Sequence, residues 1–408
     1  MRIAFLHPDL GVGGAERLVI DAGMGLLARG HAVTMYTNHR DVGHCFPEAR
    51  DGSLDVRVVG GWLPSSIFGM FSILCVTLRM LYAAVVMVIF YPRPDVVFLD
   101  QLATAVWPFR LVGLPVVFYC HFPDKLLASR SSSPLRIAYR AVADALEERS
   151  TRAADVVLVN SAFTAATVME AFPSMTARPA VLYPAINMQA IDAAAAAAVG
   201  SGSELANNKV FFSINRFERK KAIELALAAF ALMAADARGA QLVLAGGYDP
   251  NNRENAEYFD ELHAQATELG LDIGTDVVFA PSVSNDDKYR YFDAAVAVLY
   301  TPSNEHFGIV PVEAMYASRP VVAVASGGPT ESIVDGETGL LVAPEPAAFA
   351  DAMRTLWADR ALCARMGAAG RQRVRDLFSL DAFAASLEAS IVSAIDGSPP
   401  AAGRAKTD

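Results

Sequence analysis

The sequence predicts an α/β protein of two doubly wound, Rossmann-like domains facing a cleft. Three observations carry this. Short apolar runs of strand length alternate with longer helical patterns, once in each half of the 408-residue chain. Such alternation implies an open parallel sheet covered on both faces. A low-complexity stretch, Ala193–Ala198 and then Gly200-Ser201-Gly202-Ser203, separates the halves. Glycines, histidines and charged residues gather just past the strand ends, where sheets of this kind bind ligands.

The first half opens on a strand, Arg2 to His7, then Gly11-Val12-Gly13-Gly14 and a helical run from Ala15 to Arg29 closed by Gly30. Glycines at a strand-to-helix turn let the backbone approach a ligand closely, which makes Gly13 and Gly14 candidates for donor contact. The spacing is not G-x-G-x-x-G, so a nicotinamide fingerprint is only partly met, and plain strand–helix punctuation explains the turn equally well. Strands His31–Thr37, Val56–Val59, Asp95–Asp100, Val116–Cys120 and Asp155–Val159 follow. His121, in His121-Phe122-Pro123-Asp124, lies just beyond one of them. It can exchange a hydrogen bond with a sugar or acceptor hydroxyl, or be satisfied by local backbone. Asn160-Ser161 suits the cap of a helix Ala162–Phe172. His44-Cys45 lacks the further ligands that zinc needs.

Ile67 to Tyr91 is apolar all round, with Arg79 its only charge. A helix apolar all round lies against core or lipid. At 1.5 Å per residue it would be about 37 Å long, enough for a hydrocarbon core of about 30 Å. A single crossing would put Val56–Val59 and Val96–Leu99 on opposite sides of a bilayer, although both belong in one sheet. The segment is therefore expected to dip into a membrane or pack on its surface, with a buried domain helix as the alternative. Downstream, Lys125, Arg130, Arg136, Arg140 and Arg149 can meet anionic headgroups or a lipid diphosphate, or form a solvated helix face.

The second half repeats the alternation through Val210–Ile214, Gln241–Ala245, Val277–Phe279, Val296–Tyr300 and Val321–Val324. Past the first of these comes Asn215-Arg216-Phe217-Glu218-Arg219-Lys220-Lys221. Cations are disfavoured at a helix start, so this cluster points to a bound anion. Arg216, as a fork, and Lys221, as a point charge, are expected to converge on one diphosphate. Past the fourth strand comes Glu305-His306-Phe307-Gly308-Ile309-Val310-Pro311-Val312-Glu313. A helix beginning there offers unpaired N–H groups and a favourable dipole to an anion, so a diphosphate can rest on Gly308, Ile309 and Val310. Glu305 can reach a sugar hydroxyl and Glu313 a ribose diol. Gly246-Gly247 reads as a turn, and Gly327-Gly328-Pro329 opens a further helix.

The net charge is −10, which argues against nucleic acid as a partner. The hydrophobic fraction of 53 % is high and favours a membrane-surface protein. Cys45, Cys75, Cys120 and Cys363 are scattered without a C-x-x-C pair, which fits a reducing compartment. Ile3–Leu6 is too short to be the core of a signal peptide. No D-x-D triplet occurs, so Arg216, Lys221 and helix-start amides are expected to replace a metal ion at the donor site, with no cofactor required.

The Gly11–Gly14 loop, His121 in Cys-His-Phe-Pro, Asn215-Arg216 with Lys221, and Glu305 with Glu313 resemble the retaining GT-B glycosyltransferases of group 1. Ala222 stands where that family usually has glycine, and Lys220 can share the role of Lys221. Within the family, His7–Val19, Gly43–Phe46, Phe118–Asp124, Leu158–Ser161, Asn215–Lys221 and the apolar insert are most similar to the mannosyltransferases of the dolichol pathway. The resemblance covers most of residues 1 to 390. It implies GDP-mannose as donor, a dolichol-diphosphate-linked oligosaccharide as acceptor, and addition of one α-1,3 and one α-1,6 mannose. It implies the cytosolic face of the endoplasmic reticulum, and a complex with other early transferases of the pathway as a further partner. Glu305 would then orient the mannose, His121 touch its hydroxyls, Glu313 hold the ribose, and Arg216 with Lys221 stabilise the leaving diphosphate.

The expected domains are 1–190, acceptor- and membrane-facing with the insert 67–91, and 209–380, nucleotide-sugar-binding. A linker at 191–208, a C-terminal helix at 381–396 and a disordered tail at 397–408 complete the division. Two other classes stay open: a Rossmann oxidoreductase, and a non-catalytic nucleotide-sugar-binding membrane scaffold.

Overall fold

The computed structural model describes residues 1–66, 72–128, 134–199 and 209–399. The chain forms two compact units, Met1–Ala185 with the segment from Leu380 onward, and Ile186–Ser379.

The first unit holds seven parallel strands, β1 (Arg2–Asp9), β2 (Ala32–His39), β3 (Asp55–Val58), β4 (Val96–Asp100), β5 (Val116–Cys120), β6 (Val156–Val159) and β7 (Ala180–Val181). Their order is β3-β2-β1-β4-β5-β6-β7. β1 and β4 are therefore the neighbours at which the winding reverses, registered with Ile3 opposite Val96 and Leu6 opposite Leu99. β4 and β5 are buried throughout. Strands buried on both faces read as unbroken apolar runs, which is why these two were legible. Phe5, Phe98 and Tyr119 pack under one face with helix Gly14–Ala28 and the C-terminal helix Leu380–Asp396. Glu388 of that helix accepts from Arg29 Nε at 2.7 Å and meets His31 Nε2 at 2.6 Å.

The apolar insert becomes helix Ser72–Phe90, and its residues 67–71 lie outside the described part. Met80, Ala83, Ala84 and Met87 recur at helical spacing and are buried against the sheet. Leu74, Leu78, Val85 and Ile89 lie in a second stripe that stays exposed. Arg79 is buried against Asn38: Arg79 Nη2 donates to the Asn38 carbonyl at 3.0 Å, and Asn38 Nδ2 returns a bond to the Arg79 carbonyl at 3.1 Å, while Arg79 Nε is left without a hydrogen-bond partner. The helix joins β3 to β4 of one sheet, so the chain returns to the side from which it left.

The second unit has six parallel strands, β8 (Val210–Ile214), β9 (Gln241–Gly246), β10 (Val277–Pro281), β11 (Ala295–Tyr300), β12 (Val321–Val324) and β13 (Gly339–Val342). The order is β10-β9-β8-β11-β12-β13, so β8 and β11 flank its reversal point. Phe211, Phe217, Phe230, Leu242 and Phe349 lead its core. β13 was not anticipated, because four half-buried residues carry little periodicity. Helix Met188–Val199 occupies part of the stretch read as a linker, with Asp192 accepting from Tyr316 Oη and Arg371 Nη2, both at 2.7 Å. Residues 200–208 and 400–408, the rest of the expected linker and most of the expected tail, lie outside the described residues.

Candidate active site

In an open parallel sheet the loops leaving the two strands at a reversal point diverge and leave a crevice. In the second unit those loops follow β8 and β11, and they carry Lys221 and Glu305. Lys221 Nζ donates to Glu305 Oε2 at 2.5 Å, with only 12 % and 23 % of the two side chains exposed. Burial pushes the Glu305 carboxyl upward, but the hydrogen bond and charge of Lys221 outweigh it and hold the group below the ordinary carboxylate range. Thr301 Oγ1 donates to the Lys221 carbonyl at 2.7 Å and ties the loops together behind the pair.

The Glu305 loop is shaped by close backbone packing. Gly328 N donates to the Glu305 carbonyl at 2.8 Å, and a Cβ at Gly327 or Gly328 would overlap the backbone of Glu305 or Phe307. Asn304 N donates to Ser326 Oγ at 2.9 Å. Gly308 has φ 80° and caps helix Ile309–Tyr316 without any side-chain cap. The helix starts at Ile309, within the expected stretch. Glu305, Gly308, Ile309 and Val310 thus stand together at one uncapped helix start, with Lys221 beside them.

Glu313 lies further along that helix. Lys288 Nζ, from helix Asn285–Ala294, meets its Oε1 at 2.9 Å, each side chain being 16 % exposed. Burial lowers the Lys288 ammonium but Glu313 raises it, and the net direction is upward. Lys288 was missed in the sequence, since nothing local marks it. Tyr300, the last residue of β11, was missed too. It is hydrogen-bonded to Glu305, and burial pushes its phenol far up, so it stays neutral.

Arg216 does not share the Lys221 contact. Its Nη1 meets Glu218 Oε1 at 2.8 Å with the side chain 62 % exposed, and Lys220 Nζ holds the other oxygen of Glu218 at 3.0 Å. Arg216 and Lys221 therefore sit on different carboxylates, and of the two lysines Lys221 reaches Glu305. The guanidinium of Arg216 is held by Glu218, and the ammonium of Lys221 by Glu305.

The first unit carries its own cluster at its own reversal point. Asp100 ends β4 with 1 % exposure, His7 lies in β1, and His121 follows β5. Asp100 Oδ1 lies 2.7 Å from His7 Nδ1, and Oδ2 lies 3.2 Å from His121 Nε2. A carboxylate closing an otherwise wholly apolar strand was the available signal for Asp100. Gly13 caps helix Gly14–Ala28, and the Glu16 carboxylate lies so close over it that a Cβ would overlap. At Gly14 a Cβ would meet open space. Ser161 caps its helix as expected, accepting from Thr164 N at 2.9 Å. Of the basic residues after His121, Lys125 bonds the Ala171 carbonyl and Arg140 pairs with Asp124 and Asp144. Arg149 is exposed, while Arg130 and the side chain of Arg136 lie outside the described residues. All four cysteines are free.

Two doubly wound parallel sheets, each with charged loops at its reversal point, define the frame of a GT-B glycosyltransferase. Residues 201–373 match the family model for group 1 glycosyl transferases, and residues 12–190 match that for glycosyltransferase family 4. The chain is 45 % identical to the α-1,3/1,6-mannosyltransferase ALG2 of Rhizomucor pusillus, covering 96 % of this chain and 91 % of that one. It is 43 % identical to human ALG2, covering 94 % of each. Among solved structures, sucrose-phosphate synthase from Thermosynechococcus elongatus superposes with a TM-score of 0.71 at 24 % identity, over 95 % and 97 % of the two chains. HepE from Anabaena in complex with UDP gives 0.72 at 21 %, over 96 % and 100 %. The chain belongs to the group 1 glycosyltransferases, in the α-1,3/1,6-mannosyltransferase family of these relatives, and is an enzyme.

Proposed function

We propose that this protein transfers mannose from GDP-mannose to a mannosyl-chitobiosyl-diphosphodolichol acceptor, making one α-1,3 and one α-1,6 linkage with retention. The names of its relatives support the linkages. The observation that carries the donor site is the Lys221–Glu305 contact of 2.5 Å beside an uncapped helix start. Lys221 and the amides of Gly308, Ile309 and Val310 present positive charge where a leaving diphosphate gathers negative charge. Glu305 orients the mannose, Glu313 on Lys288 accepts from the ribose diol, and His121 meets a sugar hydroxyl. Arg216 reaches the diphosphate after leaving Glu218. Gly13 and Gly14 bring a second backbone turn to the donor. No metal ion takes part in this reading of donor binding.

Retention follows from front-face displacement. The bond from the anomeric carbon to the diphosphate oxygen breaks, the acceptor hydroxyl oxygen bonds the same face, and its proton passes to the departing phosphate oxygen. No enzyme nucleophile is used.

Helix Ser72–Phe90 supports a membrane-surface placement. Its exposed stripe carries Leu78 and Ile89 at 53 % and 63 %, and Trp62, 73 % exposed, packs edge-on against its Tyr82. An exposed apolar stripe on a helix bound to a sheet by its other face suits a lipid interface. We place the enzyme on the cytosolic face of the endoplasmic reticulum membrane, in reach of the other early transferases of the pathway.

The test supplies purified protein with GDP-mannose and the lipid-diphosphate trisaccharide, and reads product mass and linkage. Two added hexoses, one on each position, are expected. Binding of GDP-mannose without transfer would show a scaffold instead.

A further inference from the structure

The first unit contains a three-residue chain of ionisable groups, buried His7 and Asp100 and part-exposed His121, of which the proposed chemistry uses only the last. We propose that Asp100 is a positioning residue, which locks His121 as the neutral tautomer with its proton on Nε2 and presents Nδ1 to substrate as a hydrogen-bond acceptor. This rests on the reading that His121 meets a sugar hydroxyl.

An ionised carboxylate only accepts, so both imidazole nitrogens that face Asp100 must donate to it. That places a proton on His7 Nδ1, 2.7 Å from Oδ1, and one on His121 Nε2, 3.2 Å from Oδ2. Asp100 is 1 % exposed, and a carboxylate so buried stays charged only beside a cation. His7 is that cation. Burial pushes its imidazole down, but Asp100 and Glu16 together carry it up to about 10. Its remaining nitrogen, Nε2, is buried without a hydrogen-bond partner and lies 3.7 Å from Glu16 Oε1. Asp100 itself is held low: burial raises it, and the charge of His7 overcomes that.

With the charge of Asp100 balanced by His7, nothing requires a second cation at His121. Two contacts hold the ring and a third fixes its backbone. Nε2 rests on Asp100, the ring meets Tyr119 edge-to-face at 4.8 Å, and the backbone carbonyl accepts from Asn160 Nδ2 at 3.2 Å. About a quarter of the side chain, 26 %, remains exposed. Nδ1 has no hydrogen-bond partner among the described residues, and in the neutral ring it carries a lone pair. A hydroxyl can therefore donate to it. The other ionisable groups around the chain do not disturb this assignment. Tyr119 and Cys120 from β5 are pushed up by burial and stay neutral, and Glu16 is held low chiefly by the neighbouring His7 imidazole.

The experiment reads the histidine ring nitrogens by NMR in full-length protein labelled with nitrogen-15 at histidine, using His121→Ala to assign the resonance. At neutral pH His121 is expected to carry a proton on Nε2 and none on Nδ1; a proton on Nδ1 overturns the proposal. Asp100→Asn offers an amide that accepts from one ring and donates to the other, so it is expected to scramble that signature. It should also lower kcat by about 10–100-fold with little change in donor KM; a folded variant turning over at the wild-type rate overturns the assignment. His7→Gln removes the balancing charge and is the second variant should the first not fold. The hydrogen bonding of Asp100 is then changed, and the nitrogen-15 signature of the His121 ring is expected to change with it; an unaltered signature is the contrary result. If His121→Ala retains full turnover, the substrate contact itself is wrong, even where the NMR signature stands.

Discussion

Lys221 Nζ lies 2.5 Å from Glu305 Oε2, although 84 positions separate the two residues in the chain. They meet because β8 and β11 are neighbours at the reversal point, and each residue rides the loop leaving one of them. The contact neutralises a half-buried carboxylate and leaves the lysine at the mouth of a helix start.

Removing either partner should impair turnover without unfolding the chain. Lys221→Ala and Glu305→Gln are each expected to lower kcat by about 100–1000-fold, the usual cost of losing a preorganised charge partner of the transition state. The pH dependence of stability supplies a second readout. The Glu305 pKa is lowered in the folded protein, so its stabilisation is present above its ordinary value of 4.5 and is lost as pH falls through the lowered value. In Lys221→Ala burial is opposed only by His306 and the Tyr300 hydrogen bond, so that contribution should weaken. Acid denaturation of both proteins, followed by circular dichroism, checks it. An unchanged acid limb would contradict the pairing.

Ala222 follows Lys221 with φ 48° and ψ 46°, a left-handed conformation that costs an L-residue about 1–2 kcal/mol. The position usually held by glycine in this family keeps its backbone shape here without the glycine. Ala222→Gly should relieve the strain, less the entropy that glycine adds to the unfolded chain. The expected gain is about 0.5–1 kcal/mol in urea unfolding, with the m-value and turnover unchanged. A loss of stability would mean that the left-handed assignment is wrong.

Lys288 braces Glu313 at 2.9 Å from a neighbouring helix. If Glu313 binds the ribose, Lys288→Met loosens its carboxylate without touching the reacting bond. Donor KM should then rise about 10-fold while kcat holds, the pattern of lost uniform binding. Initial rates across a range of donor concentrations decide it. A fall in kcat at constant KM would move Lys288 into the chemistry.

The parts of this protein legible in sequence are those written locally. β5 reads as five apolar residues in a row, and His121 stands at its end. Ser161 announces a cap because its hydroxyl serves an amide three residues on. The pair Glu305 and Glu313 was visible as spacing around a glycine that the structure shows at φ 80°. What stayed hidden depends on which strands become neighbours. Asp100 gains a purpose only when β4 lies between β1 and β5, and Lys288 only when its helix comes alongside that of Glu313. Arg216 illustrates the converse. The run of cations after β8 was plain, but its division between Glu218 and Glu305 is set by side chains up to 84 positions away.

The two stripes of helix Ser72–Phe90 should respond oppositely to charge. Met80 is wholly buried against the sheet, so Met80→Glu places an unpaired carboxylate in the core and should prevent folding. Leu78 and Ile89 are exposed at 53 % and 63 %, so Leu78→Glu with Ile89→Glu should fold normally. If that stripe lies in lipid, the double variant loses the transfer of two apolar side chains, each worth about 1.5–3 kcal/mol when fully buried. Its partition onto vesicles of endoplasmic reticulum lipids should fall at least about 10-fold, because even half of that energy exceeds the 1.4 kcal/mol of a tenfold change. Flotation measures the partition, and transfer to a short-chain, water-soluble acceptor measures the active site separately. Lost flotation with retained transfer is expected, since the stripe lies on the helix face opposite the one packed against the sheet. Equal flotation of variant and wild type would remove this helix from the membrane contact.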